Sequence, residues 1–202
     1  MARLFVALEL DPLLIADLDE ARGGVESAHW QRDNQLHLTL AFIGDASRKM
    51  KHEIEDTLSR IRFDPFELQL SGVGMFGKPK QPKVLWAGVE NKKPLVHLHE
   101  KIATALTQID VEIDRRRFKP HVTLARFRRR APARVGDWLT YNERLQSRPM
   151  LVDRFVLFSS ERTSEGSFYR HEAEFQAGGL DMLPDEMTDE NDQFDWPAVG
   201  VA

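Results

Sequence analysis

One tetrapeptide pattern occurs twice, as His37-Leu38-Thr39-Leu40 and His121-Val122-Thr123-Leu124, each inside a run in which apolar residues alternate. Alternation with period two is the mark of a half-buried strand, and in a strand residues i and i+2 share a face. Each copy therefore sets an imidazole beside a threonine hydroxyl on one face while Leu38, Leu40, Val122 and Leu124 enter a core. One such unit is a commonplace of sheet surfaces. Two, one in each half of the chain, predict a pseudo-symmetric structure in which two imidazoles face a shared pocket.

The rest of the chain fits around those two strands. ARLFVALEL alternates as a first strand, and Asp11-Pro12 caps a helix that could run as far as about Ser27 unless Gly23-Gly24 breaks it. LHLTLAFIG is the strand of the first motif. Met50, Ile54, Leu58 and Ile61 form one helical face, and Leu95, Leu98, Ile102 and Leu106 form another after Pro94. FELQLSGVGMF and VLWAGVE read as strands joined through GKPKQPK as a hairpin with a long connection. A short strand is expected over Ile109–Ile113, then HVTLARF, a helix around Val135–Leu145, and strands at LVDRFVLFSSE and SFYRHEAEF. Strands and helices in this order, with a hairpin among them, predict an α+β chain with antiparallel sheets.

Charge divides the chain in two. Gly178–Ala202 holds seven acidic residues and no Lys or Arg, so the net −4 of the 202-residue chain leaves residues 1–177 at +3. Residues 1–177 are expected to form the folded domain and 178–202 an acidic, flexible tail in which Phe194 and Trp196 could dock locally. Within the domain, DRRRFKPHVTLARFRRR concentrates Arg115, Arg116, Arg117, Lys119, Arg126, Arg128, Arg129 and Arg130, either a footprint for a phosphate-bearing ligand or a solvated charged face. The absence of cysteine excludes disulfides, thiolate chemistry and cysteine-ligated metals, and it fits a reducing cytoplasm. No apolar run reaches the roughly 20 residues needed to cross a bilayer.

Two histidines facing one space suit the cleavage of a phosphodiester. One imidazole takes a proton from water, the other gives one to the departing oxygen, and hydroxyls bind the nonbridging oxygens. Histidine serves either role near neutrality, its unperturbed pKa being about 6.5, provided the two differ in protonation. The scheme calls for no metal or cofactor. His97 and His99 lie two apart in a helix and do not face each other, so they do not read as metal ligands. GVGMFG lacks the GxxxxGK[ST] pattern of a nucleotide-triphosphate loop. Phe42 reads either as a cleft or a core residue. Phe76 and Trp86 could stack on a base, with packing the expected role for Trp86.

The chain resembles the two-histidine (2H) phosphoesterase superfamily, and within it the bacterial RNA 2',3'-cyclic phosphodiesterases once called 2'-5' RNA ligases. The resemblance is carried by RLFVALEL, Trp30 with NQLHLTLAFIG, GVGMFGKPKQPKVLWAGV, RRRFKPHVTLARF and VLFSSERTSEG...FY, across residues 3–177. It implies a bilobal pseudo-twofold fold, with antiparallel sheets flanked by helices around a central cleft. It implies catalytic roles for His37, as proton donor to the O3' leaving group, and His121, as proton acceptor, with Thr39 and Thr123 binding phosphate. It implies hydrolysis of RNA 2',3'-cyclic phosphate ends to 2'-phosphomonoesters, with RNA or small cyclic nucleotides as partners. Reversible 2'-5' joining, hydrolysis of small cyclic nucleotides and RNA-end binding without catalysis are the alternatives. It also places a substrate-contacting arginine at Arg126. Strict alternation puts that side chain on the face opposite His121, so a bulge or twist is required to bring it to the cleft. Arg130, Phe42 and Phe76 are weaker candidates for substrate contact, and nothing in the pattern fixes an oligomeric state.

Overall fold

The computed structural model describes residues 2–78, 80–113, 117–127, 135–163 and 166–178. The basic residues Arg115, Arg116, Arg128, Arg129 and Arg130 and the tail after Gly178 lie outside them. Ten strands are present among the described residues: β1 (Ala2–Glu9), β2 (Ala28–Trp30), β3 (His37–Ala46), β4 (Phe66–Leu68), β5 (Leu70–Lys78), β6 (Gln81–Val89), β7 (Val122–Phe127), β8 (Met150–Val152), β9 (Arg154–Thr163) and β10 (Gly166–Gln176). Four helices accompany them: α1 (Pro12–Ala16), α2 (Arg48–Leu58), α3 (Lys93–Thr107) and α4 (Gly136–Tyr141). Every pairing among the described residues is antiparallel. One sheet runs β10-β9-β1-β3-β7-β6-β5 with β2 also on β7, and β4 and β8 form a small second sheet. The large sheet is two four-stranded halves meeting at a single pair, Leu38 with Val122, which are the middle residues of the two motifs. The expected pseudo-twofold arrangement is thus joined at its centre.

Helices form where the apolar spacing places them. Ser47 caps α2 by accepting from the amide of Met50 (3.2 Å), and Ile54 and Leu58 are buried. In α3, Leu95, Leu98, Ile102 and Leu106 are all buried in the main core, against β3 and α2. Burial of each such side chain contributes about 1.5–3 kcal/mol relative to exposure. α1 is shorter than its spacing suggests. After Ala16 the chain tightens into a single 3-10 turn, Asp19–Ala21, and Gly24 takes φ 73°.

Two expectations are corrected here. Ile109–Ile113 forms no strand: Asp110 adopts φ 59°, and the amide of Val111 donates to the carbonyl of Leu106 (3.1 Å). This is a Schellman stop on α3, with buried Leu106 and Val111 making its apolar contact, so the apolar residues belong to a helix end. The GKPKQPK connection is not long, because β5 continues to Lys78 and β6 begins at Gln81. Gly77 makes the tight return possible. It sits at φ 110°, and a Cβ there would lie 2.7 Å from the carbonyl of Gln81.

Candidate active site

Leu38 and Val122 are fully buried on the core side of the sheet. The residues flanking them, His37 and Thr39 at the head of β3, and His121 just before β7 with Thr123 within it, therefore point together to the other face. His37 and His121 are anchored in the same way. Nδ1–H of His37 donates to the carbonyl of Gln35 (2.8 Å), and Nδ1–H of His121 donates to the carbonyl of Lys119 (2.7 Å). A carbonyl has no proton to give, so each neutral ring carries its proton on Nδ1 and leaves Nε2 unprotonated. Burial lowers His37 from its ordinary 6.5 to about 4, opposed by its bond to Gln35 and assisted by the charges of Arg126 and His121. Burial and Arg126 also lower His121, against the pull of Lys119.

Arg126 acts on both imidazoles, which places its charge at the cleft, and the strand register explains how it arrives there. On β7, Thr123 pairs with Trp86 and Ala125 with Leu85, so Leu124 is an extra residue. On β3, Thr39 pairs with Ala7 and Ala41 with Val6, so Leu40 is extra at the same place. Each motif strand carries a bulge directly after its threonine. Two successive residues are then buried, Leu40 with Ala41 and Leu124 with Ala125, and the alternation restarts in the opposite phase. Arg126 returns to the face of Thr123, and Phe42 returns to the face of Thr39. The bulge that the Arg126 assignment demanded is present, and Phe42 is its counterpart: 58% exposed, with its ring 6.2 Å from Phe5, and not a core residue.

The carbonyls of both bulged residues have donors from outside the ladder. Leu124 accepts from the amide of Gln31 (2.8 Å), and Leu40 accepts from Nδ1 of His99 (2.7 Å). His99 is itself stacked on Phe118, centroids 4.1 Å apart at 12°. Sequence reasoning gave His99 no role. Its spacing in α3 could have shown that it turns toward the sheet, but only the structure reveals the carbonyl it meets.

The two lobes are furnished differently. His37 has Tyr169 edge-on at 5.1 Å and Phe5 at 5.1 Å, and beside it opens a cavity of about 460 Å³ lined in part by Phe5, Leu36, Phe158, Tyr169 and His171. His121 has Phe76 edge-on at 4.9 Å and Trp86 at 6.3 Å. Neither Phe76 nor Trp86 belongs to a buried apolar cluster; Trp86 packs, as expected, but on the backbone of Gly74 at the cleft face, and it is only half-buried. The strand β2, missed in the sequence for its shortness, sets His29 directly across from Arg126. Arg130 lies outside the described residues.

Among the described residues, Glu9, His171 and Glu174 bring three potential metal-ligand atoms within 4.8 Å of one another. All three are exposed, and Glu174 is already paired with Arg154 (3.3 Å), which a cation would have to displace. No helix among the described residues is long and apolar enough to cross a membrane.

Comparison with known proteins places this geometry in context. A family model described as the 2'-5' RNA ligase superfamily matches residues 10–164. The chain is 30% identical over 171 residues to the RNA 2',3'-cyclic phosphodiesterase of Archaeoglobus fulgidus, covering 83% of this chain and 96% of the relative. It is 31% identical over 157 residues to the enzyme of the same name from Thermotoga maritima, covering 75% and 81%. A solved structure from Thermus thermophilus superposes with a TM-score of 0.71 at 26% identity, over 88% of this chain and 99% of that one. Escherichia coli LigT in complex with 3'-AMP superposes with a TM-score of 0.69 at 22% identity, over 87% and 98%, a likeness of fold.

Proposed function

Because the chain belongs to the 2'-5' RNA ligase superfamily and to its RNA 2',3'-cyclic phosphodiesterases, we propose that it hydrolyses the 2',3'-cyclic phosphate at an RNA end to a 2'-phosphomonoester by two-histidine acid–base catalysis. The observation that carries this reading is the matched anchoring of His37 and His121. Each Nδ1 is spent on a carbonyl two residues back, leaving two Nε2 atoms on one face beside the hydroxyls of Thr39 and Thr123. Thr39 and Thr123 donate to the nonbridging oxygens, and Arg126 offsets their charge.

In the step itself, Nε2 of His121 accepts a proton from water as its oxygen bonds to phosphorus. The bond from phosphorus to O3' breaks, and O3' takes the proton carried on Nε2 of His37. Solvent then restores both rings. His37 is neutral in the free cleft at neutral pH, so its proton arrives with the substrate: the phosphodiester anion raises an imidazole that burial and Arg126 hold down. That same low value favours a reversed reading in which His37 is the base. A substrate with sulfur in place of the 3' bridging oxygen separates them, because a thiolate leaves without a proton. It should restore turnover to the variant that lacks the acid, His37→Ala as assigned here, and to His121→Ala under the reversed reading.

The primary test is phosphorus NMR of a short RNA ending in a 2',3'-cyclic phosphate, incubated with the protein and EDTA. Conversion to a 2'-phosphate by wild type, with His37→Ala and His121→Ala each slowed by about 100-fold or more, is the expected outcome. A 3'-phosphate product would reverse the bond cleaved, and intact binding without conversion would leave an RNA-end binding module.

A further inference from the structure

On the His121 side of the cleft, Trp86 is placed in an unusual way for so large a side chain. It stands on the cleft face of β6, across from Thr123 on β7 and from Gly74 on β5. The indole lies down over Gly74: a Cβ there would sit 2.2 Å from its six-membered ring, so no other residue at position 74 leaves room for it. Gly88, next on the same face of β6, is kept bare by the carbonyl of Ser71, 2.6 Å from where a Cβ would stand, with the ring's edge at contact distance. One face of the indole thus rests on bare backbone, and the opposite face turns away from the sheet. The ring joins neither buried cluster. Its N–H is buried with no acceptor among the described residues, whereas a tryptophan placed for packing ordinarily finds one.

Resting on the phosphodiesterase reading above, we infer that Trp86 is the stacking platform for the base of the second nucleotide of the RNA, the one 5' to the residue bearing the cyclic phosphate. The terminal nucleoside is tied to the phosphate through both O2' and O3', and a half-open cavity adjoins His37, lined in part by Phe5, Phe158 and Tyr169. The chain leaves that nucleoside through O5', and a turn back past the phosphate site brings the second nucleotide to the His121 lobe. There Trp86 offers an aromatic face on the side of the sheet that also carries Arg126, which stands across from Val84. Stacking on an aromatic face tolerates any base, so the platform selects RNA ends over free cyclic mononucleotides without selecting sequence.

The test compares kcat/KM for adenosine 2',3'-cyclic phosphate with that for a dinucleotide ending in the same group. Wild type prefers the dinucleotide, Trp86→Leu lowers that preference roughly 5- to 100-fold, chiefly through KM, and Trp86→Phe keeps most of it. A loss of equal size on both substrates, or an unchanged preference, overturns the platform. If wild type turns over neither substrate, the catalytic reading has failed by itself. The platform is then read from binding of a dinucleotide 3'-phosphate against adenosine 3'-phosphate: an affinity advantage for the dinucleotide that Trp86→Leu removes supports it, and one that Trp86→Leu leaves in place overturns it.

Discussion

Lowering the pH should unfold this protein partly through one ring. His37 titrates at about 4 in the folded cleft and near 6.5 in the unfolded chain. Between those values the unfolded state binds more protons, so stability is fully present above pH 6.5 and falls as pH drops toward 4. At about 1.4 kcal/mol for each pH unit the full difference approaches roughly 3 kcal/mol, and the partial opening of the ring to the cleft brings this to roughly 2–3 kcal/mol. His37→Asn isolates the contribution, since its amide keeps a donor toward the carbonyl of Gln35 but does not titrate. Urea unfolding of both proteins at intervals from about pH 7.5 to 4 should give curves that diverge across the window, wild type losing the additional increment of roughly 2–3 kcal/mol. The C–H proton resonances of His37, followed by NMR, should show the low midpoint directly, and inorganic phosphate in the cleft should raise it. Parallel stability curves, together with a His37 midpoint near 6.5, would refute the account of a desolvated imidazole held neutral.

Arg126→Gln removes the cation that depresses both imidazoles, so both midpoints should rise and the pH profile of kcat/KM should move to higher pH, alongside a higher KM; unmoved midpoints would mean that the guanidinium does not sit at the cleft. His99→Leu leaves the carbonyl of Leu40 without its donor and should cost about 1–3 kcal/mol in urea unfolding, while His97→Leu, on the exposed side of α3, should stay within about 0.5 kcal/mol. Equal effects of the two would remove His99 from any role in holding the bulge.

The shared face of the motif histidines and threonines was legible because i, i+2 spacing within a strand sets it, and the sequence displays that spacing openly. α2 and α3 were legible for a related reason: four apolar residues at helical spacing leave no competing periodicity. The course of each strand beyond its threonine was not legible. In HLTLAF and HVTLAR the bulge adds a residue between Thr and the return to the cleft, and because both Leu-Ala pairs are small or apolar, burying two in succession leaves no polar residue on the wrong face to betray it. Simple alternation therefore sent Arg126 away from the site. The strand at Ile109–Ile113 failed for the opposite reason. Its apolar residues pack against the core, but the left-handed turn at Asp110 uses them to finish a helix.

The two halves are alike where the reaction needs likeness and differ where it needs difference. The anchored Nδ1, the free Nε2, the neighbouring threonine and the bulge recur in both, and together they could supply only two equivalent imidazoles. Acid–base catalysis requires opposite protonation states, so the distinction must come from outside the motif. The fifth residue after each histidine provides part of it, Phe42 in one half and Arg126 in the other, giving the cleft a cation on one side and an aromatic ring on the other. The outer strands provide the rest: Phe5 and Tyr169 enclose His37, while His121 lies beside Phe76 and an indole kept low by glycine. His37 is consequently the ring held further from its proton, and the one whose protonation depends most on an anion entering the cleft. Under the proposed assignment, a substrate that carries its own negative charge completes the acid as it binds, so that catalytic competence and phosphate recognition would be the same event.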